Sequence, residues 1–174
     1  MVPAVSKVSE ILCYTDGSCK AGHEAPGGWG FVLRSSAGPI SEGYGSAFKT
    51  LAKVMEYQAV AEALEVVAEG STVTVFSDNQ ALVENLEKRL ASWATTGFAK
   101  VDPTIVDSVR RIERAARERQ LNLSFRWLRA HNGNAGNERA DALAAQGARE
   151  AKAQLAAREK LASNSRPVGR GRVR

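Results

Sequence analysis

The sequence predicts an α/β protein built on one five-stranded mixed sheet with helices on both faces. Three observations support this fold class. Short apolar runs rich in β-branched and aromatic residues indicate strands, other segments repeat apolar residues at intervals of three and four as helices do, and the two kinds follow one another in the order βββαβααβα. A helix between two strands favours parallel pairing, whereas short turns favour an antiparallel meander of the first three strands.

The strands are predicted from their composition and from the turn residues that bound them. The first contains the buried run Ile11-Leu12-Cys13-Tyr14 and ends at Asp16, before Gly17-Ser18. A long glycine-rich turn is predicted to follow, up to Gly28. The other four strands are predicted at residues 29–34, 40–48, 72–77 and 121–128.

The helices are predicted from the apolar repeat and from capping and breaking residues. They are expected at about residues 56–69, 79–89, 102–120 and 137–161. Trp93 falls in a less regular stretch after the second helix. Glu62, Glu65 and Glu69 lie off the apolar face of the first helix and are predicted to be solvated.

Length and charge predict one folded domain followed by a basic tail. The chain has 174 residues and a formal net charge of +5, and a single core is expected at this length. Residues 1–9 are assigned to a lead-in, residues 10–161 to the domain and residues 162–174 to the tail. Because the tail has four arginines, no acid and few apolar residues, it is predicted to be disordered and to attract phosphates weakly. A merely solvated tail is an equal alternative.

The apolar segments are too short to span a bilayer, and the N-terminus lacks the apolar core of a secretion signal. A cytoplasmic protein without membrane contact is therefore expected. Cys13 and Cys19 are expected to remain reduced, with Cys13 in the core.

Four acids in unusual settings are predicted to converge on one site. Asp16 and Asp78 each end a buried strand, Glu56 lies near the start of the helix between those strands, and Asp141 lies in the first turns of the last helix. The carboxyl ends of neighbouring parallel strands meet at one edge of a sheet, where α/β proteins tend to place their sites. For Asp78 alone, a helix N-cap is as good an interpretation as a ligand.

Clustered carboxylates indicate a hard divalent cation. Mg²⁺ takes oxygen ligands and leaves positions open for phosphate oxygens, and a pair of such ions can support an in-line displacement at phosphorus. Histidines and cysteines at zinc spacing are absent from the sequence. The acids therefore predict a metal site suited to cutting nucleic acid.

Five segments of the chain, in order, resemble type 1 ribonuclease H over about residues 10–150. They are Thr15-Asp16-Gly17-Ser18-Cys19, Pro26-Gly27-Gly28-Trp29-Gly30, Met55-Glu56, Ser77-Asp78-Asn79-Gln80 and the run from His131 to Asp141. The resemblance implies a ribonuclease H-like fold. It also implies an endonuclease that cuts the RNA strand of RNA/DNA hybrids and leaves 5′-phosphate and 3′-hydroxyl ends. A monomer is expected because the sequence shows no long unpaired apolar face. Two Mg²⁺ ions, or Mn²⁺, would serve as the metal, with no small-molecule cofactor.

The resemblance also implies residue roles. Asp16, Glu56, Asp78 and Asp141 would be the catalytic metal ligands. His131, on a glycine- and asparagine-rich loop, would be an auxiliary proton carrier or a group that helps product release. The candidate substrate contacts are Gly17, Ser18, Cys19, Lys53, Gln80, Trp93 and Asn137.

Two segments depart from the family pattern. Leu51-Ala52-Lys53 replaces the Thr-Asn-Asn run that the family usually carries before the catalytic Glu, so part of the surface that reads a 2′-hydroxyl is missing or rebuilt. The region from Lys88 to Lys100 has few basic residues for a substrate handle.

Two other functions compete with the ribonuclease: a DNA-cutting relative of the same fold, and a non-catalytic module that binds hybrid or duplex.

Overall fold

The computed structural model describes residues 10–165 and confirms the predicted order of elements and the mixed sheet. The sheet has five strands in the order β3-β2-β1-β4-β5. The strands are β1 (Glu10–Cys19), β2 (Ala25–Ser35), β3 (Gly38–Thr50), β4 (Thr72–Ser77) and β5 (Asn122–Trp127). The helices are α1 (Ala52–Leu64), α2 (Gln80–Thr95), α3 (Val106–Glu118) and α4 (Ala135–Asn164).

The strand directions follow from the connections. β1, β2 and β3 form the predicted antiparallel meander, whereas β4 pairs in parallel with both β1 and β5. The connections to β4 and β5 contain helices, as parallel pairing requires. The parallel ladder between β1 and β4 ends at the pair Tyr14↔Phe76, and that between β4 and β5 ends at Ser77↔Trp127.

The predicted turn from Gly17 to Gly28 is wrong at both of its ends. β1 continues past Asp16, and Ser18 and Cys19 pair with Gly28 and Gly27 of β2. Gly28 and Gly30 serve helix packing rather than a turn. A Cβ added at Gly30 would lie 2.6 Å from the carbonyl oxygen of Ala140, and one at Gly28 would overlap the carbonyl oxygen of Ala144. The absence of a side chain at Gly28 and Gly30 therefore lets α4 lie directly on this part of the sheet.

Several helix boundaries also differ from the prediction: α1 begins at Ala52 rather than near residue 56, and α3 begins at Val106 rather than near residue 102. α1 ends at Leu64 rather than near residue 69. α2 continues to Thr95, so Trp93 lies in a helix and is buried in the core at 9% exposure. α4 reaches Asn164, so residues 162–164 of the predicted tail are helical. The predicted disorder of the rest of the tail and the role of the lead-in fall on residues 166–174 and 1–9, which lie outside the described residues.

The helices cover both faces of the sheet, as predicted. The larger core cluster joins α1, α2 and α3 to one face, with Val60, Leu86 and Ile112 among its buried members. On the other face, Leu143 of α4 packs with Tyr14 and other sheet residues. None of the helices described here combines the length and apolar character that a membrane crossing needs.

Glu62 and Glu65 are not simply solvated, which corrects the prediction for this side of α1. Arg111 of α3 contacts Glu62 at 2.9 Å and binds Glu65 through two nitrogens at 2.8 Å. A planar guanidinium suits such a paired contact with a carboxylate. This ion-pair group ties α3 to α1 and so supports the helix that carries Glu56.

Candidate active site

Asp16 on β1 and Asp78, directly after β4, occupy equivalent positions relative to the ladder between these two parallel strands. Each follows by two residues the last pair of the ladder, Tyr14↔Phe76, whose rings stack with centroids 5.0 Å apart. Since side chains alternate between the two faces of a strand, Asp16 leaves the sheet on the face of Tyr14. This register brings two carboxylates together at the end of the ladder.

Glu56 reaches the same place from the opposite layer of helices. It lies in the second turn of α1, and a Cβ added at Gly17 would lie 2.5 Å from the backbone nitrogen of Glu56. Glycine at position 17 therefore allows the backbone of α1 to touch β1 beside Asp16. As a result, one carboxylate oxygen from each of Asp16, Glu56 and Asp78 lies within 4.8 Å of the others.

Asp141 approaches from α4. It lies in the second turn of that helix and is exposed. Its side chain is close enough to Asp16 to raise the pKa of that carboxyl through its charge and a side-chain hydrogen bond, and its charge also raises the pKa of Asp78. The structure thus places all four predicted acids at one end of the sheet, with Asp141 at the rim of the other three.

The structure decides between the two interpretations of Asp78. The N-cap of α2 is Asn79, whose side-chain oxygen accepts a hydrogen bond from the backbone N–H of Leu82 at 3.0 Å. The carboxylate of Asp78 is therefore not used as a cap. It remains directed to the acidic cluster, where it raises the pKa of both Asp16 and Glu56.

No basic side chain of the described residues neutralises the cluster, and its buried carboxyl groups keep their protons to unusually high pH. Burial, followed by the charges of Asp78 and Asp141, raises the pKa of Asp16 to about 7. Burial, followed by the charges of Asp16 and Asp78, raises the pKa of Glu56 to about 9. Within residues 10–165 no lysine or arginine forms an ion pair with any of the four acids.

The acids fit a hard divalent cation. The Oε2 atom of Glu56 is buried and has no hydrogen-bond partner among the described residues. A buried carboxylate oxygen is rarely left unpaired, because its desolvation is unfavourable. A cation bound between the carboxylates would satisfy this oxygen and reverse the electrostatic repulsion.

His131 lies in the connection between β5 and α4, is exposed, and is close enough to Asp78 to offset a small part of the rise that burial and the charge of Asp141 cause in the pKa of that acid. Its backbone φ of 54° is in the left-handed region, which few residues other than glycine adopt. Such conformations concentrate at functional sites. The loop thus holds an accessible imidazole beside the acids.

Several of the candidate substrate contacts lie at the rim of the site. Ser18 follows Asp16 by two residues on β1, and Gln80 is exposed in the first turn of α2, where it donates to Glu84 at 3.1 Å. Lys53 is exposed, but its Nζ lies 2.7 Å from Oδ2 of Asp102. An anionic substrate would therefore have to compete with Asp102 for this lysine.

The other candidates are less accessible. The Cys19 thiol donates to the backbone oxygen of Thr50 at 3.4 Å. Gly17 faces the backbone of α1, and Asn137 is 4% exposed with its Oδ1 unpaired in the described part of the chain. Trp93 belongs to the core, which corrects its predicted role: its side chain packs with the other apolar side chains of the larger core cluster instead of facing a ligand.

Sequence reasoning missed Trp127. Its indole N–H donates to the backbone oxygen of Asp78 at 3.1 Å, and the side chain is 49% exposed. The feature that indicates its role is its position in the parallel ladder, because Trp127 ends β5 directly opposite Ser77, the residue before Asp78. Trp127 therefore holds the backbone of a metal-ligand candidate from the neighbouring strand.

Comparison with known proteins decides the family. The family model for RNase H matches residues 8–149. The chain belongs to the RNase H family. A ribonuclease H from Polaromonas naphthalenivorans is 36% identical over 156 residues, which cover 88% of this chain and 96% of that protein. One from Albidiferax ferrireducens is 38% identical over 143 residues, covering 80% and 95%.

Solved structures give the same result. The fold is shared with the N-terminal RNase H domain of a Mycobacterium tuberculosis protein, which is 19% identical with a TM-score of 0.66 over 84% of this chain and 99% of that one. LC11-RNase H1, solved in complex with an RNA/DNA hybrid, is 25% identical with a TM-score of 0.63, covering 81% and 98%. The predicted family and ribonuclease H-like fold are confirmed, and neither competing function is favoured.

Proposed function

We propose that this protein is an endonuclease that hydrolyses the RNA strand of RNA/DNA hybrids and leaves 5′-phosphate and 3′-hydroxyl ends. One observation carries the proposal. A chain of the RNase H family brings carboxylate oxygens of Asp16, Glu56 and Asp78 within 4.8 Å of one another. A module that only binds nucleic acid would gain nothing from a repulsive acidic cluster facing phosphates.

Asp16, Glu56, Asp78 and Asp141 would hold two divalent ions, Mg²⁺ or in its place Mn²⁺. Bound there, the ions would supply electrostatic stabilisation of the attacking and leaving oxygens at the scissile phosphate. The acids differ in setting: Asp16 is 5% exposed, whereas Asp141 is exposed. Asp16 is therefore suited to a fixed position and Asp141 to adjustment during the reaction.

His131 supplies the proton transfer in this proposal. Imidazole exchanges a proton near neutral pH, and this one is exposed beside Asp78. It would deliver a proton to the departing 3′ oxygen or help the product leave. Its place in a loop rather than in β5 or α4 allows the side chain to approach only when the substrate is bound.

Selection of a hybrid would depend on the rim of the site. Ser18 and Gln80 can donate to and accept from the minor groove, where RNA displays its 2′-hydroxyls. Leu51-Ala52-Lys53 offers no amide side chain there, and Lys53 is already paired with Asp102. We infer that this chain reads the hybrid with fewer direct contacts before Glu56 than is usual in the family.

We further propose that the protein acts as a monomer in the cytoplasm. Its two cysteines are free, as expected in a reducing compartment. The exposed large apolar side chains are dispersed over separate elements in the described part of the chain, for example Ile40 on β3, Val66 after α1 and Leu161 on α4.

The test uses three labelled substrates: the RNA strand of an RNA/DNA hybrid, the same RNA alone, and duplex DNA. With Mg²⁺, we expect cleavage of the hybrid only, and its loss in Asp78→Asn. Asp107→Asn, at an exposed aspartate in the first turn of α3, is the matched control and should cleave normally. Cleavage of duplex DNA would support the DNA-cutting alternative, and binding of the hybrid without cleavage would support the binding module.

A further inference from the structure

A groove of about 700 Å³ lies between the β1–β2 connection and α4, separate from the acidic cluster. Three exposed cations line it: Lys20 from the connection, and Arg149 and Lys152 from α4. Its apolar lining includes Pro26 and Leu155. The groove is therefore a basic channel with an apolar floor.

The charge of the groove is available to a ligand. In the part of the chain that the structure describes, none of the three cations takes part in an ion pair. Of the two acids that line the groove, Glu24 is bound by Lys49 at 3.1 Å, which leaves Glu159 alone to oppose the three cations. The groove is thus suited to an anionic ligand.

The groove begins at the catalytic end of the sheet. Ser18, two residues from Asp16 on β1, is part of its lining. From there it follows one face of α4 between Ala145 and Glu159, a length of about 20 Å at 1.5 Å per residue. This length corresponds to about six nucleotides of one strand at 3.4 Å each.

We propose that this groove binds the sugar-phosphate backbone of the hybrid beyond the cleavage site. The inference rests on the proposed function, since it places the same substrate along α4. Lys20, Arg149 and Lys152 would neutralise successive phosphates, and the apolar floor would lie against the sugars. Of the lining, Lys152, Leu155, Ala156 and Glu159 lie beyond residue 149, where the match to the family model ends.

The test compares Lys20→Ala/Lys152→Ala with the control Arg114→Ala/Lys160→Ala. The control removes two exposed cations outside the groove, one of them on the same helix. Each double variant is made in the full chain for measurements of cleavage. It is also combined with Asp78→Asn, so that binding can be measured by fluorescence anisotropy without cleavage. The two hybrids have about 8 and about 20 base pairs, and their ribonucleotides are placed so that the shorter one extends only about two base pairs toward the groove, whereas the longer one spans its length of about 20 Å.

For the longer hybrid, we expect the groove variant to bind more weakly and the slope of log Kd against log salt concentration to fall by about 2, one for each lost phosphate contact. KM for the shorter hybrid and kcat for both should stay at the wild-type values. A groove variant that matches the control in Kd and in salt slope would overturn the proposal. Failure of the wild type to cleave either hybrid would instead overturn the proposed function, and the anisotropy comparison would still test the groove.

Discussion

The pKa values of the buried acids determine how the stability of the metal-free protein depends on pH. Folding raises the pKa of Asp16 to about 7 and that of Glu56 to about 9, above the values near 3.9 and 4.3 expected for the unfolded chain. Between about pH 4 and pH 9 the folded state therefore binds more protons than the unfolded state. The contribution of these groups to the free energy of unfolding is largest at low pH and falls as the pH rises.

Asp16→Asn should weaken this dependence, because it removes one raised group and one of the charges that raise the pKa of Glu56. In EDTA, we expect the variant to gain stability over the wild type between pH 5 and pH 9 by a few kcal/mol, since one pKa unit is worth about 1.4 kcal/mol. Urea unfolding at each pH measures the free energy of unfolding of the variant and of the wild type. Glu118→Gln, at an exposed glutamate of α3, should follow the wild type; an identical pH profile for Asp16→Asn would contradict the account.

Trp127 acts on the site through the backbone of Asp78. Trp127→Phe removes the indole donor but keeps an aromatic ring at a half-exposed position. Loss of an outer contact to a metal ligand lowers metal affinity or activity by about tenfold, so the Mg²⁺ concentration at half-maximal activity should rise by about that factor. Tyr44→Phe, which removes an aromatic donor to Glu150 from an exposed side chain on β3, should leave this concentration unchanged. An unaltered Mg²⁺ titration in Trp127→Phe would show that the hydrogen bond does not position Asp78.

At the scale of elements, the contact between β1 and α1 places Glu56 in the site. A methyl group at position 17 would overlap the backbone at Met55 and Glu56. Gly17→Ala should therefore displace α1, lower the melting temperature by several degrees, and reduce the rise in melting temperature that millimolar Mg²⁺ produces in the wild type.

Glu56→Gln is the matched comparison, because it removes the carboxylate and keeps the backbone in place. It should lose the response to Mg²⁺ without the loss of metal-free stability expected for Gly17→Ala. A normal Mg²⁺ response in Gly17→Ala would show that this close approach is not needed to position Glu56.

The same elements show what the sequence could and could not predict. The order of elements, the meander and the convergence of four acids follow from hydrophobic patterning and from the rules for parallel strands. The continuation of β1 past Asp16 was not predictable, because Gly28 and Gly30 have the composition of a turn and yet allow α4 to pack on the sheet. Trp93 was misplaced for a related reason: only the packing of α2 against the core reveals that its ring is buried.

At the scale of the whole molecule, the site forms where the two layers of helices meet the same end of the sheet. α1 brings Glu56 from one face and α4 brings Asp141 from the other, while β1 and β4 supply the two aspartates. Arg111 of α3 forms ion pairs with Glu62 and Glu65 at the C-terminal end of α1. Gly28 and Gly30 of β2 allow α4 to pack closely on the sheet. The repulsive acids are thus held together by packing away from the site, which allows the fold to support them without metal.

A crystal of the protein grown with Mn²⁺, and measured at a wavelength where manganese scatters anomalously, tests this account most directly. The account predicts anomalous density in contact with the carboxylates of Asp16, Glu56 and Asp78, and its absence from a crystal of Glu56→Gln grown in the same way. Density confined to other parts of the molecule, or a wild-type acidic cluster without density at saturating Mn²⁺, would contradict it.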